Sequence, residues 1–434
     1  MTTTRIEAPA RSVPVVREVD VLVCGGGPAG VAAAIAAGRA GASVHVIESA
    51  GCLGGIWTSG LLCWVIDANN KTGLMAEIHQ RMSAKPRANE PGGAKSAYDV
   101  EQTKYALEQM CQEAGVGVRL HTRVVEVVRS GERIDAVLTA SKSGVEAWRA
   151  AVYIDCTGDG DLAAAAGCGF DYGRPDAPGE AQPMSMIALV GGLDVAAIGH
   201  DYLCGQAGRY AEVTDNFRND ICAGGVDPSY ARPSLFHVYD DLFLMMANHQ
   251  YQACGFSADD VSQATLAGRD EVNRIVDALR SRGGVWNDIC LVATSAQIGI
   301  REGRRIHGRY MLSADDLVRG ARFDDAVCRA TFCVDVHSTN PSKGKGLGGE
   351  GVKAQPYDVP MRSLIACDVD NLLMAGRCIS GDFFAHASYR VTGNAVAMGE
   401  GAGQLAAYAA RAGLDPHQCS WPLEDAAVAA QRAL

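Results

Sequence analysis

Residues 19–48 read VDVLVCGGGPAGVAAAIAAGRAGASVHVIE. A Val-rich run (19–24) leads straight into Gly25-Gly26-Gly27-Pro28-Ala29-Gly30. An Ala-rich helix former follows, and SVHVIE (43–48) alternates like a strand. Strand, glycine loop, helix, strand and acid in this order form the dinucleotide-binding βαβ pattern. Gly25 permits the tight turn. Gly27 lets backbone approach a diphosphate without a Cβ, and Gly30 lets the helix lie close on the strand. The helix N-terminus then offers free N–H groups and a positive dipole end to the diphosphate. Glu48 stands eighteen residues past Gly30, where an acid that binds a ribose diol belongs.

Spacing alone does not make the pattern. Gly346, Gly348 and Gly351 of GLGGEG repeat it. No Val-rich strand precedes them and no helix former follows, so this second match reads as a loop. Together with the preceding NPSKGK, including Lys343 and Lys345, it reads equally as a lid over a site or as a solvated loop.

Composition bounds the rest. The chain has 434 residues and a formal charge of −11, with no Lys/Arg run, so it lacks the electrostatic footprint of a nucleic-acid binder. Its 50 glycines follow no three-residue period, which excludes collagen. At one domain per ~150 residues the length suggests about three domains, or two with one enlarged. The 15 cysteines are odd in number and show neither C-x-x-C nor zinc or iron–sulfur spacing. The expectation is no metal and a reducing, cytoplasmic compartment. Cys52, Cys156, Cys290 and Cys367 read as small hydrophobes in apolar or strand-like surroundings. The N-terminus lacks the apolar core of a signal peptide, and no apolar stretch reaches the length of a membrane span.

Beyond Glu48, GCLGGIWTSG (51–60) makes a second close-approach loop. An insertion follows over about 61–98, punctuated by PRANEPGGAKS (86–96). A helix is expected from Val100 to Ala114, its face set by Tyr105, Leu107, Met110 and Cys111. VRLHTRVVEVV (118–128) reads as one strand, then IDAVLTA (134–140) and EAWRAAVYIDC (146–156) as two more, the last entering TGDGD and an Ala-rich stretch. Between 170 and 355 the texture changes. PMSMIALVGG (183–192), SLFHVYDDLFLMMA (234–247) and NDICLVATSAQIGI (287–300) read as strands, and 258–282 as an amphipathic helix. Near the C-terminus the strand NLLMAG (371–376) leads to Arg377, and a glycine-broken helix spans 393–410.

Two basic clusters stand out. Arg301, Arg304 and Arg305 follow the QIGI run, and an Arg fork suits a carboxylate. The alternative is pairing with Glu302, Asp315 or Asp316. Arg301 is favoured as the residue in the site. His386 and Arg390 are four apart and share a face if helical. His386 is the candidate general acid/base because its unperturbed pKa is near neutral; Tyr389 is a weaker one. His237 and His337 show no partner pattern and read as structural.

The segments GGGPAG, GCLGGIWTSG, IDCTGDGDLAAAAG, REGRRIHGRY, YDVPMRSLIACDVDNLLMAGRCIS and HASYRVTGNAVAMGEGAG, taken together, resemble FAD-dependent oxidoreductases of the glutathione-reductase-like superfamily. The branch is that related to the fumarate reductase and succinate dehydrogenase flavoproteins. The resemblance covers residues 19–410. It implies an α/β fold, with a Rossmann-like FAD-binding domain split in sequence (17–169 and 356–420). An inserted α+β substrate or cap domain (170–355) separates the halves, with tails at 1–16 and 421–434. Gly25, Gly27, Pro28, Ala29, Gly30 and Glu48 would hold the ADP half of FAD. Gly54, Gly55 and Thr58 would follow the pyrophosphate toward the flavin. Val125 would offer its backbone to adenine, with Gly158 and Asp159 closing the adenosine side. Gly376 and Arg377 would return to the ribityl chain. Gly393 and Asn394 would open a helix toward the flavin N1/C2=O end, where negative charge gathers on reduction.

The implied activity is first that of a dehydrogenase. It would pass hydride from a small polar substrate, a carboxylate among its candidate groups, to flavin N5, with His386, Arg301 and Arg390 around the substrate. A C=C reductase, or an isomerase or lyase without net redox, are the alternatives, and a non-catalytic electron-transfer flavoprotein comes last. The expected partners are a small-molecule substrate and an unidentified electron acceptor, with homo-oligomerisation open.

Overall fold

The computed structural model describes residues 6, 11–82, 97–205 and 208–423. The stretch 86–96, residues 424–434 of the second tail, and residues 1–5 and 7–10 of the first lie outside the described residues. Strand β1 (Val15–Cys24) ends at the glycine loop, helix α1 (Pro28–Arg39) follows, and β2 (Val44–Ile47) lies parallel to β1 with Val21 opposite Val44. Residues 21–24 are wholly buried, as expected of a parallel strand covered on both faces.

The main sheet continues through β3 (Gly117–Arg119), β4 (Arg123–Ser130), β5 (Arg133–Ser141) and β6 (Gly144–Asp155), in the order β3-β2-β1-β6-β5-β4. Leu372–Met374 then returns to pair parallel with β6, Leu372 opposite Tyr153. The chain therefore completes its first sheet more than 200 residues after leaving it. The single strand expected over 118–128 is two strands, on opposite edges of the sheet. His121, at φ +51°, breaks the run. There the backbone turns to donate from Thr122 N–H to the Glu48 carbonyl at 2.8 Å.

The second layer is an antiparallel sheet ordered 234–239, 242–246, 187–191, 290–294. Its side chains alternate between two cores. Ile187, Leu189 and Leu244 join the main core, while Ala188, Val190, Phe243 and Met245 join a separate one under helices Tyr210–Ala223 and Ala258–Arg282. The long helix keeps its expected bounds and is capped by Ser257. Several expectations need correction. The strand of 183–192 is confined to Ile187–Gly191, and QIGI holds only an isolated bridge at Gly299. Tyr105 is half exposed, so the buried face of helix Val100–Glu113 runs through Thr103, Ala106, Leu107, Met110 and Cys111. Cys290 and Cys367 are exposed rather than buried in apolar surroundings. The GLGGEG region is tied down: Leu347–Gly348 pairs with Val336–His337, and Lys345 Nζ lies 2.8 Å from Asp227 Oδ2.

A backbone-to-backbone contact joins α1 to the C-terminal helix Thr392–Ala412. A Cβ on Gly399 would stand 2.1 Å from the Ala29 carbonyl oxygen, and one on Gly403 2.1 Å from that of Ala33. Backbone lies against backbone at both positions. Among the described residues no helix is long and apolar enough to cross a membrane, and no group of three or more His, Cys, Asp or Glu could hold a metal ion.

Gly403→Leu is expected to cost at least about 2 kcal/mol by overpacking, read as a lowered urea or thermal midpoint. Gly346→Ala, where a Cβ meets nothing within 4 Å, is the control and stays within about 0.5 kcal/mol of the parent.

Candidate functional site

Several of the residues expected at the nucleotide pack against one another. Gly25 adopts φ +99°, and a Cβ there would lie 2.3 Å from the Cys156 carbonyl oxygen; a Cβ on Gly30 would lie 1.8 Å from that of Gly25. Strand, loop and helix thus close on one another, and only glycine fits. Gly27 is different. A Cβ there meets nothing within 4 Å, and no side chain caps α1, so room and free N–H groups coincide. Pro28 and Ala29 begin α1, and Ala29 is covered by Gly399. Glu48 is buried, accepting from Gly26 N–H at 2.6 Å and from Ala50 N–H at 2.7 Å. It organises the loop with its carboxylate, which keeps lone pairs for a diol.

Gly54 (φ +105°) and Gly55 (φ +52°) bring the second loop to the first, a Cβ on Gly55 falling 3.0 Å from Gly27 Cα. The Thr58 hydroxyl donates to the Leu53 carbonyl at 2.6 Å. Val125 is half exposed on β4, where the register with β5 shifts between Val124 and Glu126 and leaves it without a cross-strand partner. Gly158 (φ +83°) lies against the Arg377 guanidinium, which donates to Asp159 Oδ1 at 2.8 Å. Gly376 (φ +94°) approaches Ala29, with 3.3 Å to its Cβ, and Gly393 is pressed onto the Asp67 carbonyl.

Five polar atoms on these elements are buried without a partner among the described residues: Trp57 Nε1, Arg377 Nε, Thr392 Oγ1 and both amide atoms of Asn394. Each would cost about 1–3 kcal/mol if left so. They suit a large polar ligand, and the flavin dinucleotide implied by the resemblance fits them. A cavity of about 730 Å³ adjoins the second loop, walled by Cys52, Thr58, Ser59, Lys104, Leu242 and Val292.

A second constellation is wholly polar and lies apart from that cavity. Bridges Met184–Gln250 and Ser185–Gly299 place His249 and Arg301 beside the same segment. The His249 and His337 ring centroids are 4.9 Å apart, and Tyr230 stacks on His249 at 4.1 Å. His337 Nε2 lies 3.2 Å from Asp335 Oδ2, and His249 Nδ1 lies 3.3 Å from the Tyr251 hydroxyl, which itself donates to Ser229. These bonds place the protons on His337 Nε2 and His249 Nδ1. His337 Nδ1, His249 Nε2 and Gln182 Nε2 are buried without a partner among the described residues.

The electrostatics follow from burial and from Arg301. Burial, then Arg301, lowers His337 to about 4. Burial, then Arg301 and His337, holds His249 well below the usual histidine range. Both are neutral at pH 7. Burial opposes ionisation of Asp335, yet the hydrogen bond from His337 and the positive charges of Arg390 and Arg301 keep its carboxyl well below the usual range. Burial, then Arg390, lowers Arg301 to about 10.

Arg301 donates to the Pro183 carbonyl and to Ser185 Oγ, and makes no ion pair among the described residues. Arg304 pairs with Asp161 at 2.9 Å and lies over Phe256, and Arg305 pairs with Glu302. Arg390 pairs with Asp335 at 3.1 Å. His386 lies on helix Phe383–Tyr389, fully buried, with both ring nitrogens unpartnered. Burial, then Arg305, Arg390 and Arg377, keeps it neutral. Tyr389 is also buried and spends its hydroxyl on the Ile379 carbonyl at 2.9 Å. His237 bonds the Asp240 carbonyl away from this group. His337, read as structural, joins the constellation, with His249, Asp335, Tyr230 and Gln182. No periodicity or spacing marks these residues; only cross-chain bridges gather them.

The family model described as FAD dependent oxidoreductase matches residues 20–430. No curated protein matches. Among solved structures, a geranylgeranyl bacteriochlorophyll reductase-like protein from Thermoplasma acidophilum is 15% identical, with 92% of this chain and 80% of that chain covered at a TM-score of 0.47. A flavin-dependent brominase is 14% identical, with 96% and 83% covered at a TM-score of 0.47. An anhydrotetracycline hydroxylase from Streptomyces rimosus is 13% identical, with 91% and 63% covered at a TM-score of 0.42. With a cradle that suits the dinucleotide and a family match over nearly its whole length, the chain belongs to the FAD-dependent oxidoreductases and takes FAD as its cofactor.

Proposed function

We propose that this enzyme is a dehydrogenase of a small polar substrate, FAD when bound supplying the hydride acceptor at N5. The observation that carries the reading is the polar constellation: two neutral histidines and a glutamine with buried, unpartnered polar atoms, beside an arginine without a carboxylate. A protein that only relayed electrons would have no use for buried, unsatisfied donors and acceptors, each of which costs stability.

In this reading Gly27, the α1 N-terminus and Glu48 hold the ADP half, with Gly54, Gly55 and Thr58 along the second loop. The Val125 backbone meets adenine, Gly158, Asp159, Gly376 and Arg377 close the far side, and Gly393 and Asn394 stand at the ring end. The middle segment 170–355 supplies the wall over the substrate, and Arg301 anchors it. Arg390 is held by Asp335 and keeps that wall in place. His386, neutral and with both nitrogens open, takes a proton from a substrate O–H or N–H.

Anaerobic mixing with a substrate panel tests the reading. The flavin band near ~450 nm, an ordinary flavin property, bleaches and stays bleached until an oxidant is added. Turnover without bleaching would instead mean no net redox. His386→Asn is expected to slow bleaching by about 10²–10⁴-fold, the usual worth of general base catalysis, with FAD content unchanged.

A second outcome concerns pH. The folded pKa of His337 is depressed from 6.5 to about 4, so the unfolded chain binds its proton first as pH falls. Its contribution to stability is present above pH ~6.5 and is lost on the way down to ~4. Urea midpoints of the parent should fall across that window more steeply than those of His337→Gln.

A further inference from the structure

Four other arginines of the site segments each have a carboxylate. Arg377 has Asp159, Arg390 has Asp335, Arg305 has Glu302 and Arg304 has Asp161. Arg301 has none among the described residues, and it is partly exposed. The two histidines beside it are neutral, so the constellation carries one uncompensated positive charge. Gln182 Nε2 is a further donor without a partner. Its Oε1 already accepts from the His337 backbone N–H at 3.1 Å, which holds the amide in one orientation.

The histidines set a limit on what else can enter. Nδ1 of His337 and Nε2 of His249 carry no proton, because the other nitrogen of each ring is engaged by Asp335 and by Tyr251. Bare ring nitrogens accept hydrogen bonds and repel anionic oxygen. They receive a neutral donor and reject a second carboxylate. Asp335, ionised at their side, adds to that rejection. A phosphate monoester, close to doubly charged at neutral pH, fails the same charge count.

We infer that the substrate of this site carries a single carboxylate, bound by Arg301 with Gln182, and that His249, His337 and Asp335 exclude dianions. The inference rests on the dehydrogenase reading for its placement beside FAD, and it narrows the substrate to monocarboxylates with a neutral, hydrogen-bonding remainder.

Calorimetric titration of the holoenzyme with propionate, malonate and inorganic phosphate tests it without any turnover. Propionate is expected to bind, and malonate and phosphate to leave no saturable heat. Arg301→Gln should weaken propionate by about tenfold or more, the worth of hydrogen bonds to a charged group, while Arg301→Lys keeps part of the affinity. Asp335→Asn, which raises the local charge by one, should admit malonate. Malonate binding as well as propionate in the parent overturns the inference. So does unchanged propionate binding in a folded Arg301→Gln, or an Asp335→Asn variant that still rejects malonate. Propionate binding beside a flavin that no panel compound bleaches would sink the dehydrogenase reading and leave the anion site. A bleachable flavin with no propionate binding would do the reverse.

Discussion

The backbone contact between α1 and the C-terminal helix is the constraint on which the site depends. Gly399 lies over Ala29 and Gly403 over Ala33, so the two helices run in the same direction. The C-terminal helix starts at Thr392, seven residues before Gly399. At 1.5 Å per residue its first turn projects roughly 10 Å beyond that of α1. One helix N-terminus therefore opens at the glycine loop and the other further along the cradle, with Asn394 in its first turn. Two stretches separated by more than 350 residues become a single ruler for an extended dinucleotide. Side chains at 399 or 403 would push the helices apart and spoil that spacing before touching the cofactor.

Against this rigid base the substrate side is built from bridges rather than from long strands. The four-stranded sheet divides its side chains between two cores, so that one of its faces joins the main core. Isolated bridges at Met184–Gln250 and Ser185–Gly299, and the two-residue pairing of Val336–His337, then deliver His249, Arg301 and His337 to one place. Such short pairings contribute little stability of their own. They hold because Gln182 and Glu302 tie them with buried hydrogen bonds and Asp335 with a partly buried one to Arg390. Many of the buried polar atoms without a partner among the described residues gather on the cradle and in the neighbouring constellation, although others lie elsewhere, as at Arg129, Ser363 and Tyr172. Polarity is thus left open where a cofactor and a substrate would close it.

The sequence by itself determined the βαβ unit at 19–48, the long helices read at 258–282 and 393–410, and the return strand read at 371–376. Their physics is local: apolar period, glycine placement and capping act within a few turns. It also singled out Arg301, for its place directly after the QIGI run, and His386 with Arg390, for their spacing of four. It favoured Arg301 over Arg304 and Arg305 only by its place directly after the QIGI run; that the other two are taken by Asp161 and Glu302 is shown by the folded chain alone. It could not split 118–128, since the break at His121 follows from a hydrogen bond between Thr122 and Glu48. Least legible was the grouping of Tyr230, His249, Asp335 and His337. These residues are spread over about a hundred positions, and nothing in their spacing anticipates the bridges that join them. Tertiary structure alone decided that grouping, because a polar cluster is defined by which charges are left without partners once every strand has found its neighbour.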